Sequence, residues 1–99
     1  WELDREQYPD WEALVGDLRS QGIRVLTYMN PFMVDVADKR QLSHDYFAEA
    51  MKNEHFVRHP DGKPYEIKNT TFSAYLMDLT NPACRENVKR IIRSNLIGV

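Results

Sequence analysis

The strongest constraint on this chain is the run Ile23-Arg24-Val25-Leu26-Thr27-Tyr28-Met29, with Gly22 before it and Asn30-Pro31 after it. It is β-branched and aromatic, and apolar on both alternating faces apart from Arg24. That is the pattern of a strand covered on both sides, as in a parallel sheet beneath helices. Asn30-Pro31 ends it, because proline removes a ladder donor and restricts the residue before it. Such a strand requires neighbouring strands, and the rest of the chain barely supplies them.

The flanking segments read as α/β elements. Trp11, Leu14, Val15 and Leu18 recur at helical spacing within 11–21, with Asp10 as N-cap, Glu12 in the first turn and Gly22 as the stop. Residues 32–42 carry Asp35, Asp38 and Lys39 and read as a solvated loop. A helix is expected over Ser43–Asn53, with Tyr46, Phe47, Ala50 and Met51 on one face. Phe56-Val57-Arg58 and Tyr65-Glu66-Ile67 flank the turn signal His59-Pro60-Asp61-Gly62-Lys63-Pro64, which predicts a short hairpin. Asn69-Thr70-Thr71 is a loop and Ala74–Leu79 a second short apolar strand. Asn81-Pro82 opens a last helix that aligns Cys84, Val88, Ile91, Ile92 and Asn95, and Leu96-Ile97-Gly98-Val99 carries the chain out of it. That helix has nothing after it to pack beneath. With the lone two-sided strand, it indicates a piece of a larger α/β protein.

Composition narrows the function classes. With 13 Lys+Arg, 15 Asp+Glu and a net charge of −2, the 99 residues lack the basic footprint of a nucleic-acid binder. No stretch approaches a membrane span. No basic n-region precedes an apolar segment, so a cytoplasmic location is the expectation. A single cysteine forms no internal disulfide.

Candidate chemistry is sparse. Asp78 ends an apolar strand-like run directly before a helix, where α/β proteins place working residues; the competing reading is a carboxylate that satisfies its own turn. Asn30 holds the corresponding position after the first strand, with the same alternative. Trp1 precedes a polar run, which suits an aromatic platform facing a pocket. Asp35 and Asp38 lack the glycine and glutamate of a calcium loop. His55 and His59 are four apart, but Pro60-Asp61-Gly62 removes the helix that would make a metal pair of them. His44 reads as surface and Cys84 as a small buried hydrophobe. No cofactor or metal is expected, and these residues alone define no active site.

Three motifs in order carry a family resemblance. Trp1-Glu2-Leu3-Asp4 through Tyr8-Pro9-Asp10, a helix, and then Gly22 to Pro31 resemble the segment of family 31 glycoside hydrolases around the third barrel strand. Phe56-Val57-Arg58-His59-Pro60-Asp61-Gly62 is similar to the hairpin in that family's long following loop. Asp78-Leu79-Thr80-Asn81-Pro82 is similar to its Asp-x-Thr-Asn-Pro signature. Asn30-Pro31 in place of Asp-Pro, and Leu79 in place of phenylalanine, lean towards its sulfoquinovosidase-like branch.

The resemblance implies an α/β fold, part of a (β/α)8 TIM barrel covering about strands 2–3 with their following helices. Residues 32–80 would form a decorated loop after a barrel strand, and 1–99 a fragment of one catalytic domain. It further implies a retaining α-glycosidase acting on a carbohydrate substrate, oligomeric or not, through two aspartates. Neither aspartate falls on a residue of this sequence; the nucleophile's strand is expected just past Val99, so the 99 residues alone are expected to be inactive. Trp1, Asn30 and Asp78 are the implied substrate-binding residues. Two other classes stay open: a self-contained carbohydrate- or protein-binding α/β module, and a catalytically silent barrel homologue.

Overall fold

The computed structural model describes residues 1–39 and 42–97; the expected exit of Gly98 and Val99 from the last helix lies outside them. In chain order the elements are α1 (Trp11–Ser20), β1 (Phe32–Met33), α2 (Tyr46–Lys52), β2 (Glu66–Lys68), β3 (Ser73–Leu76) and α3 (Pro82–Asn95).

The helices stop and start where their caps dictate. Asp45 opens α2 by accepting from the Ala48 N–H, three residues later than the apolar pattern alone suggested. Asn81 opens α3 by accepting from Ala83 and Cys84, with Pro82 in the first turn. Asp10 takes the N-cap position of α1 without a side-chain bond. Gly22 follows α1 at φ +77°, a left-handed conformation in which a Cβ would be strained. Of the expected apolar face of α1, only Val15 is buried, and Leu14 is exposed.

The sheet is antiparallel, in the order β1-β3-β2. β1 corrects the expected loop over 32–42: Phe32 pairs with Leu76 and Met33 with Tyr75, which puts Met33 into the core. The hairpin at 56–67 is present. The Tyr65 N–H donates to Val57, the His59 N–H donates to Lys63, and Gly62 sits at φ +86° in its turn. The second half of that hairpin continues as β2, which pairs with β3 across the Asn69–Phe72 turn.

The core gathers Met33, Ala50, Phe56, Met77 and Cys84, with Phe47, Tyr75, Met51 and Val88 packed around it. Phe56 sits 5.4 Å from Phe47 and 5.5 Å from Tyr75, centroid to centroid. The residues of this core come from one excursion, the chain between β1 and α3.

The run 23–29 departs from expectation. It forms no ladder, and residues 24–30 make no backbone–backbone hydrogen bond among the described residues. Leu26 is 94% and Tyr28 87% exposed. A parallel strand draws its bonds from neighbours reached through crossovers, and the described residues place none beside it. The chain is correspondingly long in shape, 53 × 29 × 24 Å, with a radius of gyration of 15.7 Å against about 13 Å for a compact domain of this length.

Candidate active-site face

Asn30 and Asp78 flank the same end of the small sheet. The β1–β3 register continues outward through the Met77 N–H, which donates to the Pro31 carbonyl at 2.8 Å. Asn30 lies two residues before β1 and Asp78 two residues after β3, and no hydrogen bond joins them among the described residues. Two residues 48 apart in sequence thus emerge at one end of the sheet.

Each of the two is half committed to its own turn. Asn30 Oδ1 accepts from the Phe32 N–H at 3.0 Å. Asp78 Oδ1 accepts from the Thr80 N–H at 3.0 Å and from the Thr80 hydroxyl at 2.6 Å. The Asp78 N–H donates to His55, and the Arg85 guanidinium donates to the Leu79 and Thr80 carbonyls, so the turn is held from three sides. The Thr80 hydroxyl, and then the Thr80 and Asn81 N–H groups, hold the Asp78 carboxyl below its ordinary value against a small opposing effect of burial. Among the described residues, Asn30 Nδ2 and Asp78 Oδ2 have no partner. The pair therefore offers one N–H donor and one anionic acceptor, the complement of vicinal hydroxyls.

Trp1 stands elsewhere. Like Tyr46 and Phe47 it packs against the core, and it lines two clefts of about 300 and 480 Å³. The first adds Phe32, Met33 and Val34 with a polar rim of Glu2, Asp4 and Lys39. The second adds Tyr8, Trp11 and the exposed 27–29 segment. Neither Asn30 nor Asp78 lines either cleft, so the structure groups two of the three candidates and leaves Trp1 apart.

The other candidates fall into structural places. Cys84 is fully buried with its Sγ on the His55 carbonyl at 3.4 Å, and burial, with the charge of Asp78, raises its thiol pKa against the pull of Arg85. Such a thiol is a poor nucleophile. His55 is 5% exposed, with Nδ1 3.4 Å from the Asn87 amide nitrogen. His59 stacks on Tyr65 in the hairpin. Asp35 Oδ1 accepts from the Ala37 N–H. No group of three His, Cys, Asp or Glu among the described residues is placed to hold a metal.

Two clusters were invisible to spacing. Glu49 bonds His44 and, at 2.9 Å, Arg90, whose guanidinium also lies 6.0 Å from the Tyr46 ring centre. Burial works against the Glu49 charge, but the His44 bond and the Arg90 and His44 charges outweigh it and hold its pKa down. Glu2 and Asn95 bracket Trp1, with partners 41, 42 and 94 residues away in sequence. No local pattern announces contacts of that range.

A helix, an unpaired two-sided run ending in Asn-Pro, and a self-cored excursion that returns to a helix are the parts of a β/α barrel segment with a large decorated loop. The family model for the glycosyl hydrolases family 31 TIM-barrel domain matches residues 1–99, and the chain belongs to that family. It is 27% identical to a sulfoquinovosidase of Escherichia coli strain K12 over 97 residues, covering 98% of this chain and 13% of that protein. An Agrobacterium fabrum sulfoquinovosidase is 28% identical over 98 residues, with 98% and 14% covered. The alpha-xylosidase XylQ of Lactiplantibacillus pentosus is 30% identical over 82 residues, covering 83% of this chain and 10% of that protein. The solved structure of a family 31 sulfoquinovosidase from E. rectale, in complex with the aza-sugar inhibitor IFGSQ, superposes with a TM-score of 0.77 at 29% identity. That superposition covers 94% of this chain and 13% of that one. The chain thus spans about an eighth of the relatives it matches.

Proposed function

We propose that the protein containing this chain is a retaining α-glycoside hydrolase, and that its substrate is an α-sulfoquinovoside. The observation that carries the reading is the family match over residues 1–99, joined to a TM-score of 0.77 against a sulfoquinovosidase. Two sulfoquinovosidases among the curated relatives support the substrate, and the alpha-xylosidase names the principal competitor.

Retaining hydrolysis needs one carboxylate to attack the anomeric carbon and a second to act as acid and then base. Neither role is assigned to a residue of this chain. Its contribution is binding. Asn30 Nδ2 donates to a sugar hydroxyl oxygen, and Asp78 Oδ2 accepts from a neighbouring hydroxyl. Both lie on connecting loops, and barrel enzymes carry their site residues on loops, which supports the reading. Trp1 supplies an apolar ring face for the sugar or its aglycone.

The test is hydrolysis by the full-length protein of p-nitrophenyl α-sulfoquinovoside, α-glucoside and α-xyloside, with NMR of the first-formed anomer. Preferred turnover of the sulfoquinovoside with α-anomer released first is expected. Preference for the xyloside or glucoside overturns the substrate, a β-anomer overturns retention, and no turnover of any of the three overturns the enzyme reading.

A further inference from the structure

We propose that Glu2 and Asn95 are positioning residues that hold Trp1 at the cleft wall from opposite sides. The proposal rests on the reading of Trp1 as a substrate contact. Residues 1–4 lie in no helix or strand of the described residues. Side-chain bonds of very long range tie them to the rest of the chain.

From one side, Asn95 in the last turn of α3 uses its amide fully. Nδ2 donates to the Trp1 carbonyl at 2.9 Å and to the Tyr46 hydroxyl at 2.9 Å. Its Oδ1 accepts from the Ser94 hydroxyl at 2.8 Å. One side chain thereby ties the Trp1 backbone to the Tyr46 hydroxyl, and Trp1 and Tyr46 line the same cleft. From the other side, the Glu2 carboxylate accepts from two successive backbone N–H groups, Ser43 at 2.8 Å and His44 at 3.3 Å. These groups lead into α2, whose Tyr46 and Phe47 line the cleft with Trp1. Asp4 extends the clasp by pairing with Lys39 at 3.1 Å.

The dipeptide Trp1-Glu2 is therefore pinned between the end of α3 and the entry of α2. A ring fixed this way binds a sugar face without first losing its own freedom. Freed from either clamp, the ring must be ordered by the substrate, and the loss falls on KM.

The experiment uses the full-length protein and the substrate it turns over. Asn95→Asp replaces the donor to Trp1 with an acceptor, and Glu2→Ala removes both amide contacts. Each is expected to raise KM about tenfold, the worth of one or two net hydrogen bonds, with kcat little changed. Glu2→Gln keeps one acceptor oxygen and should recover part of the loss. In a Trp1→Ala background Asn95→Asp should cost nothing further, because its effect passes through the ring. Additive losses, a fall in kcat alone, or a kinetically silent Trp1→Ala overturns the proposal. Amide exchange at Ser43 and His44 is read whatever the activity. Faster exchange in Glu2→Ala supports the clamp even if no α-glycoside is hydrolysed, and unchanged exchange overturns it.

Discussion

The Asp78 carboxylate has two oxygens with two different duties, and substitution separates them. Oδ1 accepts from the Thr80 N–H and hydroxyl at 3.0 and 2.6 Å, while Oδ2 is free among the described residues. Asp78→Asn keeps an oxygen for the turn and removes the charge. Asp78→Ala removes both. With two bonds lost at a half-buried site, Asp78→Ala should cost on the order of 1–2 kcal/mol, and Asp78→Asn well under half of that. The assay is the urea midpoint of the full-length protein alongside its steady-state kinetics. If Oδ2 accepts a substrate hydroxyl, both variants lose a charge-assisted bond, and kcat/KM falls about tenfold or more in each. Stability then separates the variants and activity does not. The pH dependence has a definite sign. The folded carboxyl titrates below its ordinary 3.8, so the charge stabilises the fold above that pH. The gap between wild type and Asp78→Asn should persist at neutral pH and close as pH falls through the depressed value. Asp78→Asn with wild-type kcat/KM would refute the substrate role and leave Asp78 a turn residue. Equal destabilisation by both variants would refute the division of labour between the oxygens.

Three further outcomes follow from the same geometry. Asn81→Ala removes the acceptor for Ala83 and Cys84 at the start of α3 and should cost about 1 kcal/mol in chemical denaturation. Phe56→Ala empties a site that is 2% exposed and clustered with the Phe47 and Tyr75 rings; a loss of about 3–5 kcal/mol is expected, with faster proteolysis between residues 32 and 80 as the local readout. Glu12 is held down to about 2, chiefly by its hydrogen bond from Arg5, so its stabilising effect is present above 4.5 and lost as pH falls towards 2. NMR titration of Arg5→Met should return the Glu12 midpoint to its ordinary range.

Legibility tracked the range of the interactions. The caps at Asn81 and the turn at His59–Lys63 act over a few residues, and the sequence displays both. The Ile23–Met29 run reads as a two-sided strand from its composition, but among the described residues it joins no ladder and Leu26 and Tyr28 are exposed. β1 was missed because Phe32-Met33 is too short to show a period; only its pairing with Tyr75 and Leu76, more than 40 residues away, makes it a strand. Asn30 and Asp78 were each visible as a residue after an apolar run. Their emergence at one end of the sheet was not, since it follows from that same register. The clamp around Trp1 lay further from reach still, since Asn95 looks like one more residue on a helix face until the Trp1 carbonyl arrives beside it.

The contrast between the run 23–29 and the excursion that follows bears on how such a barrel acquires its site. Residues 24–30 of the apolar run and its end make no backbone–backbone hydrogen bond among the described residues. The chain from Phe32 to Met77 makes its own sheet and packs one core with Cys84 and Val88 of α3 and with Trp1. β1 starts two residues after Asn30 and Asp78 lies two residues beyond β3, so the core beneath β1 and β3 also fixes where both residues emerge. A substitution such as Phe56→Ala should therefore disturb Asn30 and Asp78 together, read as linked amide shift changes at the two positions.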